Sequence, residues 1–298
     1  MTSPIKLILV AGARPNFMKI APIIRELQKR RDAFTFSLVH TGQHYDEGMS
    51  NVFFSELGIP EPDFNLSVGG GSHAEQTAKI MTAFEPICLQ ETPDCVIVVG
   101  DVNSTIACTI VAKKLHIKVA HVEAGLRSGD MAMPEEINRI ATDSICDFHF
   151  VTEESGLTNL RQEGHAESKL FFVGHVMIDN LIYELDKITN REEASFAHAD
   201  RKQALGQYGV VTLRRPSNVD QRDSLESIRG TLNEVANDIP LFFSVHPRTA
   251  ERLASWSIEL NPNIVVTQPL GYSDFLNLWK DAMVVLTDSG GCKKKPRR

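Results

Sequence analysis

The chain has 298 residues, of which 42% are hydrophobic, 23% charged and 7% aromatic, with a formal net charge of -7. That composition excludes a disordered, collagen-like or coiled-coil chain and suits one large or two ordinary domains. No apolar run approaches the roughly 20 residues of a membrane helix, and the acidic balance argues against nucleic acid as a partner.

The opening apolar run, Leu7 to Ala11, is too short for the core of a signal peptide, so a cytoplasmic address is expected. A buried strand is predicted at 5–11, followed by a helix over 15–29 with Ile20, Ile23, Ile24 and Leu27 on one face. The next strand is 34–40. Beyond a loop at Gly69 to Gly71, Ser72 and Glu75 have the spacing of a capping box and start another helix. The near-continuous apolar run 95–100 reads as a parallel strand buried on both faces. A helix over 105–115, a strand at 118–122, a helix opened by Pro134, and strands at 148–152 and 170–173 complete a first sheet.

Near Gly174 the series restarts. A helix from Val176 leads into polar residues 190–200, read as loop, and strands follow at 209–213, 241–245, 264–267 and 283–287 with helices between them. Strands alternating with helices predict an α/β fold of two doubly wound, Rossmann-like domains, residues 1–175 and 176–298, facing a cleft. The second domain reads as incomplete, because its last strand runs into Asp288-Ser289-Gly290-Gly291 and then a tail with five positive charges in six residues.

In such sheets ligands bind outside the carboxyl ends of the strands. The polar residues at those ends include Arg14, Asp101, Glu123, Arg214, His246 and Ser289, with Glu135 in the first turn of the helix that Pro134 opens. Three carboxylates (Asp101, Glu123, Glu135) near Arg14, Lys19, Arg127 and Arg139 suggest proton transfer beside an anionic ligand. Taken alone, Glu135 reads equally well as a helix cap. The loop after the first strand is neither G-x-G-x-x-G nor G-x-x-x-x-G-K-[ST], so no nicotinamide cofactor or P-loop nucleotide is expected. The ten histidines and five cysteines show no metal-ligand spacing, and no metal is expected.

Gly-Ala-Arg-Pro-Asn-Phe-Met-Lys (12–19), His-Thr-Gly-Gln-His-Tyr-Asp (40–46), Gly-Asp-Val-Asn-Ser-Thr (100–105) and His-Val-Glu-Ala-Gly-Leu-Arg (121–127) resemble the non-hydrolysing UDP-N-acetylglucosamine 2-epimerases. So do Pro-Glu-Glu-Ile-Asn-Arg (134–139), Val-His-Pro-Arg-Thr (245–249) and Thr-Asp-Ser-Gly-Gly (287–291), and the resemblance runs from residue 5 to 291. It implies a GT-B-like fold and an isomerase, needing no cofactor, that interconverts UDP-GlcNAc and UDP-ManNAc through elimination of UDP to 2-acetamidoglucal and its re-addition. Asp101, Glu123 and Glu135 match the family's catalytic acids. Arg14, Lys19, Arg139, Arg214, His246, Ser289 and Gly290 match or adjoin its substrate-binding positions. Gln43, His44 and Glu136 fall where some bacterial relatives bind a second UDP-GlcNAc as activator. The resemblance further implies a homodimer, and a role in making surface polysaccharide.

Three departures stand out. Arg214 replaces the family's usual His, and arginine cannot exchange a proton near neutral pH. His175 replaces the usual Asn. The family's segment after Ser-Gly-Gly has no counterpart, so a chain truncated at its C-terminus, and poorly active, is expected. Two other readings share the motifs: a hydrolysing relative releasing UDP and ManNAc, and a catalytically defective fragment that binds the nucleotide sugar.

Overall fold

The computed structural model describes residues 3–42, 54, 57–213 and 215–288. The chain separates into two compact units, Met1–Asn180 and Leu181–Arg298.

The first unit is built on seven parallel strands: β1 (Ile5–Ala11), β2 (Phe34–His40), β3 (Phe64–Asn65), β4 (Cys95–Val99), β5 (Lys118–Val122), β6 (Phe148–Val151) and β7 (Leu170–Phe172). Their order across the sheet is β3-β2-β1-β4-β5-β6-β7. The helices are α1 (Arg14–Lys29), α2 (His73–Glu91), α3 (Asn103–Lys114), α4 (Pro134–Ile145) and α5 (Glu154–Gln162), with α6 (Val176–Thr189) running through the unit boundary. Strand β4 shows why its apolar run is unbroken. Ile97 and Val99 pack into the core on one face of the sheet, while Val96 and Val98 pack into the core on the other. Burying each such side chain contributes about 1.5–3 kcal/mol.

The capping box forms as its spacing requires. Ser72 Oγ accepts the Glu75 N–H at 3.2 Å, and Glu75 Oε2 accepts the Ser72 N–H at 3.0 Å. The chain winds outward from β1 in one direction and from β4 in the other. The two strands therefore flank the point at which a doubly wound sheet opens a crevice above its carboxyl ends.

The second unit repeats the plan with β8 (Gly209–Leu213), β9 (Leu241–Val245), β10 (Ile264–Thr267) and β11 (Val284–Thr287), ordered β10-β9-β8-β11 and all parallel. Its helices are α7 (Ala199–Leu205), α8 (Pro216–Val219), α9 (Arg222–Asp238), α10 (Pro247–Ser255) and α11 (Tyr272–Asp281). Residues 190–200, read from sequence as loop, hold a short 3-10 turn at Glu193–Ser195 and the start of α7. Phe196 anchors this stretch against Leu276 and Trp279. The ammonium of Lys202 ties it down through Glu193 (2.6 Å), Asp281 (2.6 Å) and the Asn277 side chain (2.9 Å). One aromatic and one buried lysine order a segment that carries no hydrophobic period.

Candidate active site

The loop between β1 and α1 is closed by protein groups. The Asn16 side chain, buried in the first turn of α1, accepts the N–H groups of Gly12 (3.1 Å) and Ala13 (2.9 Å) and donates to the Val99 carbonyl (3.2 Å). Thr41 Oγ1 and Ser104 Oγ meet at 2.7 Å beside it. A Cβ on Gly12 would stand 2.4 Å from Ser104 Oγ, so glycine is required for this close approach. The Gly12 and Ala13 N–H groups, which could otherwise face an anion, are thus engaged by Asn16.

The carboxylates lie just beyond. Glu123, immediately after β5, adopts a left-handed backbone with φ +70°, unusual for a residue with a Cβ and costing about 1–2 kcal/mol. Its carboxylate pairs with the Lys19 ammonium, both side chains being largely buried. Gly100, at φ +68°, passes beside that pair: a Cβ there would be 3.0 Å from Lys19 Nζ and 3.6 Å from Glu123 Oε2. The next residue is Asp101, whose Oδ2 accepts from Arg139 Nη2 at 2.5 Å. The Asp101 backbone carbonyl accepts the Asn138 amide at 2.9 Å, fastening the β4 loop to α4.

Glu135 and Glu136 both occupy the first turn of α4, where the helix dipole favours negative charge, yet their surroundings differ. Glu136 is buried, and its carboxylate accepts the N–H groups of Ser128 (3.0 Å) and Gly129 (2.9 Å) and Arg139 Nη1 (2.5 Å). Burial alone would raise its pKa; the two backbone donors and the guanidinium outweigh that and hold it below the usual range. Arg139 thus bridges Glu136 and Asp101, and burial fails to lower its pKa because both carboxylates raise it. Glu135 is half-buried, and its carboxylate makes no hydrogen bond or ion pair among the described residues.

Arg127, grouped by sequence with the basic residues of the site, is turned to Asp143 (2.8 Å) and Glu163 (2.6 Å). Asp143, Cys146 and His149 are buried and bring one potential metal-ligand atom each within 4.8 Å of one another. Their chemistry does not suit a metal. Asp143 already accepts from His121, Gly125 and Arg127. His149 Nε2 donates to the Asp143 backbone carbonyl at 2.9 Å. Burial, reinforced by Asp143, pushes the Cys146 thiol well above its ordinary pKa, away from the thiolate that binds zinc.

In the second unit, Asp288 at the end of β11 accepts the Arg215 N–H (2.8 Å) and the Asn218 amide (3.0 Å), closing the loop after β8. His246 caps α10 from an exposed position, its Nδ1 accepting the Arg248 N–H at 3.4 Å. Gln43, His44, Arg214, Ser289, Gly290 and the side chain of Arg14 lie outside the described residues. The first unit therefore gathers Asp101, Glu123, Glu135, Glu136, Lys19 and Arg139 above one sheet edge. Asn16, His121 and Asp143, which sequence reasoning passed over, support them from below. His121 opens the motif 121–127 and Asn16 lies within 12–19, but neither had been assigned a role.

The UDP-N-acetylglucosamine 2-epimerase family model matches residues 25–294. The UDP-N-acetylglucosamine 2-epimerase of Methanocaldococcus jannaschii is 42% identical over 296 residues, 97% of this chain and 80% of that protein. A UDP-2,3-diacetamido-2,3-dideoxy-D-glucuronate 2-epimerase of Pseudomonas aeruginosa is 38% identical over 293 residues, again 97% and 80%. The crystal structure of the M. jannaschii enzyme in complex with UDP-GlcNAc and UDP matches with a TM-score of 0.80 and 41% identity, over 96% of this chain and 80% of that one. Sequence, parallel two-unit fold and relatives agree: the chain belongs to the UDP-N-acetylglucosamine 2-epimerase family.

Proposed function

We propose that the chain interconverts UDP-GlcNAc and UDP-ManNAc without net hydrolysis. A carboxylate removes the C2 proton, the C–H electrons form the C1–C2 double bond, and the C1–O bond breaks to release UDP. The diphosphate then adds back to C1 of 2-acetamidoglucal while a proton arrives at the opposite face of C2. The observation that carries this reading is the unequal pairing of three carboxylates on one rim. Asp101 is held by Arg139 and Glu123 by Lys19, whereas the Glu135 carboxylate makes no hydrogen bond or ion pair among the described residues. Inverting C2 needs proton transfer at two faces, and charge developing as UDP departs needs fixed cations. Lys19 and Arg139 are the cations assigned that role, with Arg14, Arg214, His246, Ser289 and Gly290 as the further substrate-binding positions. Gln43, His44 and Glu136 are the positions for an activating second nucleotide sugar. The working unit is a homodimer.

A second reading keeps the chemistry and changes the sugar. The P. aeruginosa relative, named for a diacetamido glucuronate, is nearly as similar as the M. jannaschii enzyme, and both are C2 epimerases by name.

Proton NMR in deuterated water, with each UDP-sugar in turn, tests both. UDP-ManNAc carrying deuterium at C2 is the expected product. Free ManNAc and UDP would replace this reading with the hydrolysing one. Turnover of the diacetamido glucuronate alone would select the second. A folded protein that leaves both sugars unchanged would favour a nucleotide-sugar-binding role.

A further inference from the structure

His121 lies on β5 with its side chain fully buried, and it meets hydrogen-bond acceptors on both sides. Its Nε2 is 2.8 Å from the Gly100 carbonyl and its Nδ1 is 2.7 Å from Asp143 Oδ1. A carbonyl cannot donate, and neither can an ionised carboxylate, so a ring that hydrogen-bonds both acceptors carries a proton on each nitrogen. Burial opposes ionisation of Asp143, but His121 and Arg127 outweigh it and bring its carboxyl down to about 2. The other oxygen of Asp143 accepts the Gly125 N–H at 3.0 Å and Arg127 at 2.8 Å. His149, in register with His121 on β6, reaches the Asp143 backbone carbonyl from the same face.

This relay grips two turns at once. Gly100 precedes Asp101, and Gly125 follows two residues after Glu123. Gly100, Glu123 and Gly125 all have left-handed backbones, with φ of +68°, +70° and +81°. Such conformations persist only where surrounding contacts determine them.

We propose that His121 is a positioning residue for the epimerase chemistry: as a doubly protonated imidazolium bridging Gly100 and Asp143, it holds the Asp101 turn and the Glu123 turn in one register. This rests on the reading that those carboxylates move protons. The role differs from simple packing, because a neutral ring could donate to only one of the two acceptors.

Nitrogen-15 NMR of the histidine side chains near neutral pH reads the ring directly. The wild type should show a buried imidazolium, protonated at both nitrogens, that disappears in His121→Ala. In Asp143→Asn the amide can donate to Nδ1, so the ring should fall to a single proton on Nε2. Kinetics supply the second arm, measured well below each variant's melting temperature. His121→Ala should lower kcat about 100-fold with KM for UDP-GlcNAc within about threefold, and His121→Gln, keeping one donated bond, should fall between. A singly protonated His121 in the wild type, or kcat in His121→Ala within about threefold of wild type, overturns the inference, and the NMR arm stands even where a variant fails to fold. A folded wild type that carries the imidazolium yet leaves both UDP-sugars unchanged overturns the functional reading, and the positioning role with it.

Discussion

The Lys19 ammonium and the Glu123 carboxylate pair beside the Cα of Gly100, in a space that a single added methyl group would enter. Lys19 comes from the second turn of α1 and Glu123 from the end of β5, so the pair spans the strands that flank the crevice. It leaves a cation fixed against one of the three candidate acids.

Gly100→Ala should therefore do more than strain the backbone. Its φ of +68° sets a stability loss of about 1–2 kcal/mol for any residue with a Cβ. The methyl would also press on Lys19 Nζ at 3.0 Å and shift the pair, with turnover dropping about tenfold or more. Gly164→Ala is the control, since its φ is +86° but nothing lies within 4 Å of the added methyl. It should lose similar stability in urea and keep full turnover. Equal turnover in the two variants would show that the ion pair tolerates displacement.

Adjacent glutamates on α4 should give opposite phenotypes. Glu136→Gln breaks a buried carboxylate away from two backbone donors and Arg139 and should cost about 3 kcal/mol. Glu135→Gln should change stability by less than about 0.5 kcal/mol while lowering turnover by about 10²–10⁴. Thermal melting alongside the deuterium-exchange assay separates them. A stable, active Glu135→Gln would remove that residue from the chemistry.

Much of the scaffold was legible because local patterns dictate it. Val96 to Val99 can only be a strand covered on both faces, and Ser72 with Glu75 can only start a helix efficiently. The short strand β3 was missed because Phe64 and Asn65 are too few to show a period. The site was legible as residue types at strand ends, but the partner of each charge was not. Arg127 lies close in sequence to the candidate acids, yet it belongs to Asp143, because the turn through Glu123 and Gly125 sends the chain back over the buried face of α4. Left-handed residues redirect a chain without leaving a hydrophobic signature, and bonds such as His121 to Asp143 join residues that no local motif connects.

Chelation should leave the protein unaffected. Asp143, Cys146 and His149 have the letters of a metal site, and His149 Nδ1 has no hydrogen-bond partner among the described residues, but both Asp143 oxygens are engaged by His121, Gly125 and Arg127 and Cys146 is held as a thiol. Activity should be the same after EDTA, and added zinc should not raise the melting temperature as a ligand of the native state would. A zinc-dependent rise that disappears in Cys146→Ala would contradict the exclusion.

Acid should weaken the fold through His40 in a definable window. His40 ends β2, buried against the ring of Phe17, and burial lowers its pKa from 6.5 to about 4. Between those values the unfolded chain binds a proton that the folded chain refuses, so stability rises with pH. The contribution is fully present above about 6.5 and is lost as pH falls toward 4, on the order of 3 kcal/mol in all. About 2 kcal/mol of it should go between pH 7 and pH 5. Urea unfolding of the wild type and His40→Asn at those two pH values isolates the effect, because His149, also buried with a lowered pKa, is common to both. The wild type should lose about 2 kcal/mol more than the variant. Parallel losses would mean that His40 accepts its proton without unfolding, through a local opening at the end of β2.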